Sequence, residues 1–221
     1  MSPDPGWPAS AEELVALQLA LAAEHPPPGC RRDDDRIGGC FVCFERGPTG
    51  PGAPGDRGWA GAALDEAVAV EGTAPAAYEA GLLALREGPL LESAVRALPQ
   101  LPDLLIVNAT GRDHPRRAGL AAHLGAVLGV PTIGVTHRPL LAEGEWPPDE
   151  RGATKPLLLE GDFVGYWVRT RPGTRPLAVH AAWRTDPETA VAVVLESTAR
   201  ARTPEPLRRA REAARRARAR H

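Results

Sequence analysis

The segment Leu104–Val135, with the sequence LLIVNATGRDHPRRAGLAAHLGAVLGVPTIGV, decides the fold of this chain. Its first residues, Leu104–Val107, have the length and the apolar composition of a buried strand. A helix is predicted from Pro115 to Leu128, because apolar residues recur there at helical spacing. A second short strand follows at Thr132–Val135. Two strands joined by a helix in this way form a parallel pair with a crossover connection.

Polar side chains gather directly after the first of these strands. Asn108 ends the strand, and Asp113 and His114 lie in the loop that follows it. Ligands of such sheets bind at the carboxyl ends of parallel strands. The sequence therefore predicts a functional site around these three residues.

Length and composition indicate one cytoplasmic domain. The chain has 221 residues with a net charge of −2 and three cysteines, an odd number that argues against a disulfide framework. No apolar run approaches the length of a membrane span, so no membrane association is predicted. Cys40 and Cys43 lie three apart in a predicted strand, on opposite faces, which argues against a shared metal ion.

The last residues are strongly basic. Nine arginines stand against two glutamates from Arg200 to His221, a net +7 that leaves about −9 for the rest of the chain. We divide the chain into a domain, 1–203, and an arginine-rich helix, 204–221. This helix is expected to project into solvent or to lie on a partner beyond its first turns. It either contacts phosphates of nucleic acid or is a solvated helix end.

The remaining pattern completes an α/β fold with a mixed sheet flanked by helices. Ser10 and Glu13 form a capping box for a first helix that ends near Glu24. Thr185 or Asp186 caps a later helix through Glu196. A long helix is predicted at 75–98, and strands are predicted at 37–45, 59–64, 66–71, 163–170 and 176–182.

Two motifs carry a resemblance to a known family. The strings HPRRAG (114–119) and VPTIGV (130–135) closely resemble those of endonuclease V, and the similarity extends over roughly 36–213. That family cleaves nucleic acid near deaminated purines with the help of a metal ion. The resemblance implies a ribonuclease H-like fold.

The family's acidic metal ligands are largely replaced. The family's Gly-x-Asp-Val pattern in the first strand corresponds to a string in which Phe41 stands in place of the aspartate. Glu87 matches the second acid, Asn108 replaces the third, and Arg211 replaces a fourth in the last helix. His137 stands in place of a lysine.

These replacements predict that no cofactor is bound, with Mg²⁺ involved only if the chain is a nuclease after all. Mg²⁺ requires oxygen ligands and negative charge, which an apolar ring, an amide and a guanidinium do not jointly supply. A shift of one residue would offer Glu212 in place of Arg211.

The resemblance also implies ligand-binding residues. The family's Pro-Tyr-Ile-Pro-Gly wedge, which holds a flipped base out of the duplex, corresponds to Ala77–Gly81 and retains Tyr78 and Gly81. The glycine pair of the base pocket corresponds to Ala109 and Gly111. Arg184 is retained in the late strand.

The candidate catalytic residues are Glu87, Asn108, Asp113, His114 and His137, and the candidate ligand-binding residues are Tyr78, Gly81, Gly111, Arg116 and Arg184.

Several of these residues have a structural alternative. Glu87 is a ligand, a base or a solvated helix residue. His114 is functional or caps the helix. Tyr78 stacks on a ligand or plugs the start of the helix. One of Arg116 and Arg117 holds an anion, and the other pairs with an acid.

Three functions are compatible with these observations. The first is an endonuclease V-like protein that has lost metal-dependent cleavage and binds nucleic acid, a ligand or a protein partner. The second is a metal-independent enzyme that acts on a small molecule in the same cleft. The third is an active endonuclease V of DNA repair or RNA processing.

Overall fold

A computed structural model describes residues 6–24, 26–45 and 52–220. The helices and strands follow one another along the chain in this order: α1 Ala11–Glu24, β1 Ile37–Phe44, β2 Arg57–Ala63, β3 Ala67–Thr73, α2 Leu83–Arg96, β4 Leu104–Val107, α3 Leu120–Leu128, β5 Thr132–Thr136, β6 Thr154–Leu159, β7 Asp162–Val168, β8 Leu177–Ala181, α4 Pro187–Glu196 and α5 Glu205–Arg218. The predicted α/β class is confirmed. No helix in the described part of the chain is long and apolar enough to cross a membrane.

One mixed sheet organises all of these elements. Its strand order is β3-β2-β1-β4-β5-β8-β7-β6. Strands β1, β4 and β5 are mutually parallel, and the other neighbouring pairs are antiparallel. Leu105 pairs with Thr132 across β4 and β5, which confirms the predicted parallel unit. Because β1 is parallel to β4, the carboxyl ends of both strands lie at the same end of the sheet.

Two apolar cores cover the two faces of the sheet. The first core, with α1, α2 and α3, includes Leu14, Leu91, Leu105 and Leu124. The second, with α4 and α5, includes Ile106, Ile133, Val193 and Leu207. Alternate residues of β4 enter opposite cores, as expected for a strand buried on both faces.

Helix α5 packs along the sheet rather than leaving it. A side chain at Gly39 would place its Cβ 2.5 Å from the backbone nitrogen of Leu207, and one at Gly61 would place its Cβ 2.2 Å from the carbonyl oxygen of Ala210. Ala210 and Ala214 are fully buried. The prediction that this helix projects outward beyond its first turns is therefore wrong, because small residues on both surfaces allow close contact. The proposed boundary at 203/204 stays a prediction.

Two helices begin later than their sequence pattern predicts. Helix α2 starts at Leu83 instead of near Pro75, after Gly81 adopts a positive φ of 81°. Helix α3 starts at Leu120 instead of Pro115, after Arg117 adopts a positive φ of 57°. A left-handed residue interrupts the helical hydrogen-bond pattern, so each preceding segment forms a loop at the candidate site.

Both predicted amino-terminal caps are present. The backbone N–H of Glu13 donates to Ser10 Oγ at 3.2 Å, and that of Ser10 donates to the Glu13 carboxylate at 3.3 Å. At α4, Asp186 rather than Thr185 is the cap, and its carboxylate accepts from the N–H of Thr189 at 2.6 Å.

Candidate nucleic-acid site

Phe41, in the middle of β1, and Asn108, directly after β4, lie next to each other where the pairing of these two strands ends. The parallel register pairs Cys40 with Val107, so the following residue of each strand is adjacent to that of the other. The N–H of Asn108 donates to the carbonyl oxygen of Cys40 at 3.4 Å, which continues the ladder. Asn108 is exposed, whereas Phe41 is half-buried and packs in the α5 core with Ile37. An aromatic ring thus lies beside a neutral amide at this end of the parallel strands.

Glu87, on α2, approaches β1 from the face of the sheet opposite to α5. Its carboxyl group is close enough to Cys40 for its charge to raise the pKa of that thiol, and Cys40 belongs to the α2 core. Burial raises the pKa of Glu87 to about 8, and the nearby Arg86 only partly offsets this. Glu87 retains some solvent contact. A carboxyl group with this pKa is largely neutral at pH 7.

Cations stand on the α5 side of this edge. The guanidinium carbon of Arg215 lies 5.9 Å from the centre of the Phe41 ring. His137, which follows β5, is exposed, and its pKa is lowered by partial burial and then by the charges of Arg202 and Arg211. Burial and the neighbouring charges of Arg215 and Arg208 lower the pKa of Arg211.

The residues present do not fit a Mg²⁺ ion. Of the four acidic positions that the resemblance implies, Phe41 offers no ligand atom, Asn108 offers one neutral oxygen, and Arg211 contributes positive charge. Glu87 is the single carboxyl group that remains. In the described part of the chain, no three histidine, cysteine or acidic side chains are grouped as ligands for a metal ion. Glu212, the alternative acid, is exposed and pairs with Arg216.

A cavity of about 140 Å³ opens beside Asn108. The carboxyl end of β4, the loop before α2 and the loop after β5 enclose it. Its lining includes Gln18, Tyr78, Ala109, Thr110, His114 and Leu140. Tyr78 is 45% exposed, so its ring stands at the cavity mouth and is not a buried plug of the helix start.

His114 holds the loop that carries Tyr78. Its Nε2 lies 3.0 Å from the carbonyl oxygen of Gly81, and its Nδ1 accepts from the N–H of Arg116 at 3.2 Å. These two bonds require the neutral imidazole protonated on Nε2. Burial lowers the pKa of His114 to about 4, which favours the same neutral form. With both nitrogens engaged, His114 acts as a positioning residue.

Arg116 reinforces the same loop. Its guanidinium donates to the carbonyl oxygen of Gly81 at 2.7 Å and to the side-chain oxygen of Gln18 at 2.6 Å. Gln18, on α1, also donates to that carbonyl at 3.3 Å and is fully buried. The expectation that one of the two arginines after Pro115 holds an anion is therefore not met by Arg116. Arg117 pairs with Glu160 and Asp162, as predicted for the other.

Asp113 anchors the loop on the other side of the cavity. Its buried carboxylate accepts hydrogen bonds from three consecutive backbone N–H groups, those of Leu140, Leu141 and Ala142. A carboxylate with this many donors is already satisfied. The structure thus gives Asp113 a structural role in place of the predicted catalytic one.

Two predicted ligand-binding residues lie elsewhere. Arg184 is exposed and lines a depression with Leu104 and Pro131, at the opposite end of the parallel strands from Asn108. Gly111 is buried, and a Cβ at this position would lie 2.1 Å from the carbonyl oxygen of Ala181. Gly111 is therefore required for the close packing of its loop on β8.

Sequence reasoning did not identify Gln18 or His180. Gln18 is a polar residue on the apolar stripe of α1, a signal that could have been noticed. His180 is fully buried in β8, its Nε2 lies 3.3 Å from Thr136 Oγ1, and burial lowers its pKa to about 4. A lone histidine in a strand pattern gives no comparable signal.

Comparison with known proteins assigns this architecture to a family. A family model described as Endonuclease V matches residues 60–212. Endonuclease V of Streptomyces coelicolor is 39% identical over 221 residues, covering 93% of this chain and 89% of the relative. Endonuclease V of Thermus thermophilus is 39% identical over 210 residues, covering 91% of this chain and 90% of the relative.

Solved structures agree with the sequence match. The crystal structure of endonuclease V from Streptomyces avermitilis superposes with a TM-score of 0.82 at 35% identity, covering 97% of this chain and 96% of that one. The structure from Bacillus subtilis superposes with a TM-score of 0.85 at 22% identity, covering 95% and 92%, and at this identity supports the fold alone.

Proposed function

The chain belongs to the endonuclease V family, and from this premise we propose that it binds nucleic acid in the family's cleft without cutting it by metal-dependent hydrolysis. The observation that carries the proposal is the position of Phe41 beside Asn108, one residue beyond the last pair of β1 and β4, Cys40 and Val107. Two of the positions where family resemblance implies carboxylates hold a ring and an amide. Metal-dependent cleavage needs a bound ion to activate water and to stabilise the leaving oxygen.

Family membership and local chemistry support the proposed binding of nucleic acid. Endonuclease V of Ciona intestinalis forms a complex with a 24mer DNA containing an inosine followed by a ribo-adenosine. In the present chain, an exposed tyrosine, Tyr78, stands at the mouth of a cavity at the carboxyl ends of the parallel strands. Aromatic rings stack on bases, which favours single-stranded or unpaired nucleotides as the ligand.

The second candidate, acid–base chemistry on a small molecule, receives little support from this site. Its best candidates were His114 and Asp113. The two ring nitrogens of His114 are hydrogen-bonded to Gly81 and Arg116. The carboxylate of Asp113 accepts hydrogen bonds from the backbone of residues 140–142. Glu87 and His137 remain as titratable groups at this edge, and they approach it from opposite faces of the sheet.

The proposal is tested by assaying cleavage and binding separately. The full chain is incubated with deoxyinosine-containing DNA and inosine-containing RNA in Mg²⁺ or Mn²⁺, with the Streptomyces coelicolor relative assayed in parallel. We expect no nicked product above a blank without protein. Fluorescence anisotropy in EDTA is expected to detect binding of the same labelled strands. Metal-dependent cutting that disappears in Glu87→Ala would contradict the proposal, as would a lack of any strand binding.

A further inference from the structure

Helix α5 runs alongside β1, so its arginines can be placed against the strand residue by residue. Leu207 contacts the strand at Gly39. Four helical residues rise about 6 Å, and two strand residues span about 6.6 Å. Arg211 therefore lies level with Phe41, and Arg215 lies level with Cys43. The short distance from Arg215 to the Phe41 ring and the effect of Arg215 on the pKa of Cys43 agree with this alignment.

Arg211 and Arg215 differ from the other arginines of α5. Four of these have partners: Arg208 pairs with Glu205, Arg216 pairs with Glu212, Arg209 donates to the carbonyl oxygens of Leu64 and Asp65, and Arg218 donates to that of Phe44. Among the described residues, neither Arg211 nor Arg215 has an acidic or hydrogen-bonding partner. They are spaced i, i+4 and so lie on one face of the helix.

Further positive charge lies in the segment before α5. Arg202 donates to the carbonyl oxygen of Pro176, but its buried Nε has no partner among the described residues. The charges of Arg202 and Arg211 both act on His137. Like charges without counter-charges raise the energy of the folded protein, and a bound anion would relieve that repulsion.

We infer that Arg211 and Arg215 bind a phosphate group directly, at the sheet edge beside Phe41 and Asn108. The site therefore takes an anion where the resemblance implies a metal cation. The planar guanidinium matches two phosphate oxygens at once, and an i, i+4 pair presents two such groups to one ligand. The identity of the phosphate source as nucleic acid rests on the proposed function.

The test measures phosphate binding by the full chain in EDTA, so that no metal ion contributes. Calorimetry is performed with inorganic phosphate, with a 5′-phosphorylated dinucleotide and with an unphosphorylated trinucleotide. The variant Arg211→Gln/Arg215→Gln is compared with Arg200→Gln/Arg220→Gln, which removes the same charge from exposed positions outside the site. Thermal melting verifies that both variants fold.

We expect Arg211→Gln/Arg215→Gln to weaken binding by about tenfold or more and the control by less than about twofold. The slope of log affinity against log salt for the trinucleotide should fall by about 0.7 in the first variant, because one phosphate contact is lost. Tight binding of the phosphorylated dinucleotide alone would assign the site to a terminal phosphate, and equal binding of the trinucleotide would assign it to the backbone.

Equal losses in the two variants, or no binding of any of the three ligands, would overturn the inference. Neither result depends on the cleavage assay. Detectable cleavage would contradict the proposed function and leave the phosphate site supported. Absence of phosphate binding would contradict the phosphate site even if no cleavage is detected.

Discussion

The imidazole Nε2 of His114 and the carbonyl oxygen of Gly81 lie 3.0 Å apart. This bond joins the loop after β4 to the loop before α2, two segments that are 33 residues apart in the sequence. The same carbonyl accepts from Arg116 and Gln18. The position of Tyr78 at the cavity mouth therefore depends on a buried polar network.

Removing the His114 side chain is expected to destabilise the protein. His114→Ala leaves a cavity and an unpaired Arg116 N–H, which together cost about 2–4 kcal/mol in the free energy of unfolding. Urea denaturation measures this loss. His137→Ala, at an exposed histidine, is the control and should change stability by less than about 0.5 kcal/mol. A His114→Ala protein of unchanged stability that no longer binds nucleic acid would assign His114 to ligand contact instead.

Glu87→Gln is expected to stabilise the protein at pH 8 but not at pH 4.5. Burial raises the pKa of Glu87 from 4.5 to about 8. Between these values the folded chain binds more protons than the unfolded chain, so stability falls as pH rises through this range. Glutamine removes that dependence. The difference in melting temperature between variant and parent should therefore grow from pH 4.5 to pH 8.

The matched control for this titration is Glu66→Gln, at an exposed position between β2 and β3. His114 and His180, whose pKa values burial lowers to about 4, weaken the fold as pH falls from 6.5 towards 4. They act equally in parent and variant, so the difference between the two isolates Glu87. A difference that shrinks with rising pH would mean that Glu87 is stabilised as a carboxylate.

Restoring acidic residues should create a metal site if the cleft has lost only its ligands. The variant Phe41→Asp/Asn108→Asp/Arg211→Glu adds three carboxylates at the edge that already holds Glu87. We expect calorimetry to detect Mn²⁺ binding, since carboxylate oxygens supply both ligands and charge. Phe41→Asp alone is the control and should bind weakly. A folded triple variant that binds no Mn²⁺ would mean that the backbone of the cleft has also diverged.

The sequence by itself determined the central β4–α3–β5 unit and the residue types that stand in the cleft. The strands predicted at Leu104–Val107 and Thr132–Val135 follow from local apolar runs, which require no knowledge of distant contacts. Phe41, Asn108 and Arg211 are not carboxylates, and this follows from the sequence whatever the exact geometry. Family membership, which the motifs at 114–119 and 130–135 indicated, is confirmed by the comparisons.

The tertiary structure alone decided what the polar residues do. His114 and Asp113 have the composition of a catalytic pair, and only the folded loops provide the backbone groups that engage them. The course of α5 could not be read from its alanines and arginines, because it depends on glycines in β1 and β2 that admit the helix backbone. Arg184 lies at the far end of the sheet because the direction of β8 is set by pairing with β5. These outcomes rest on contacts between residues far apart in the sequence, and local patterns do not encode such contacts.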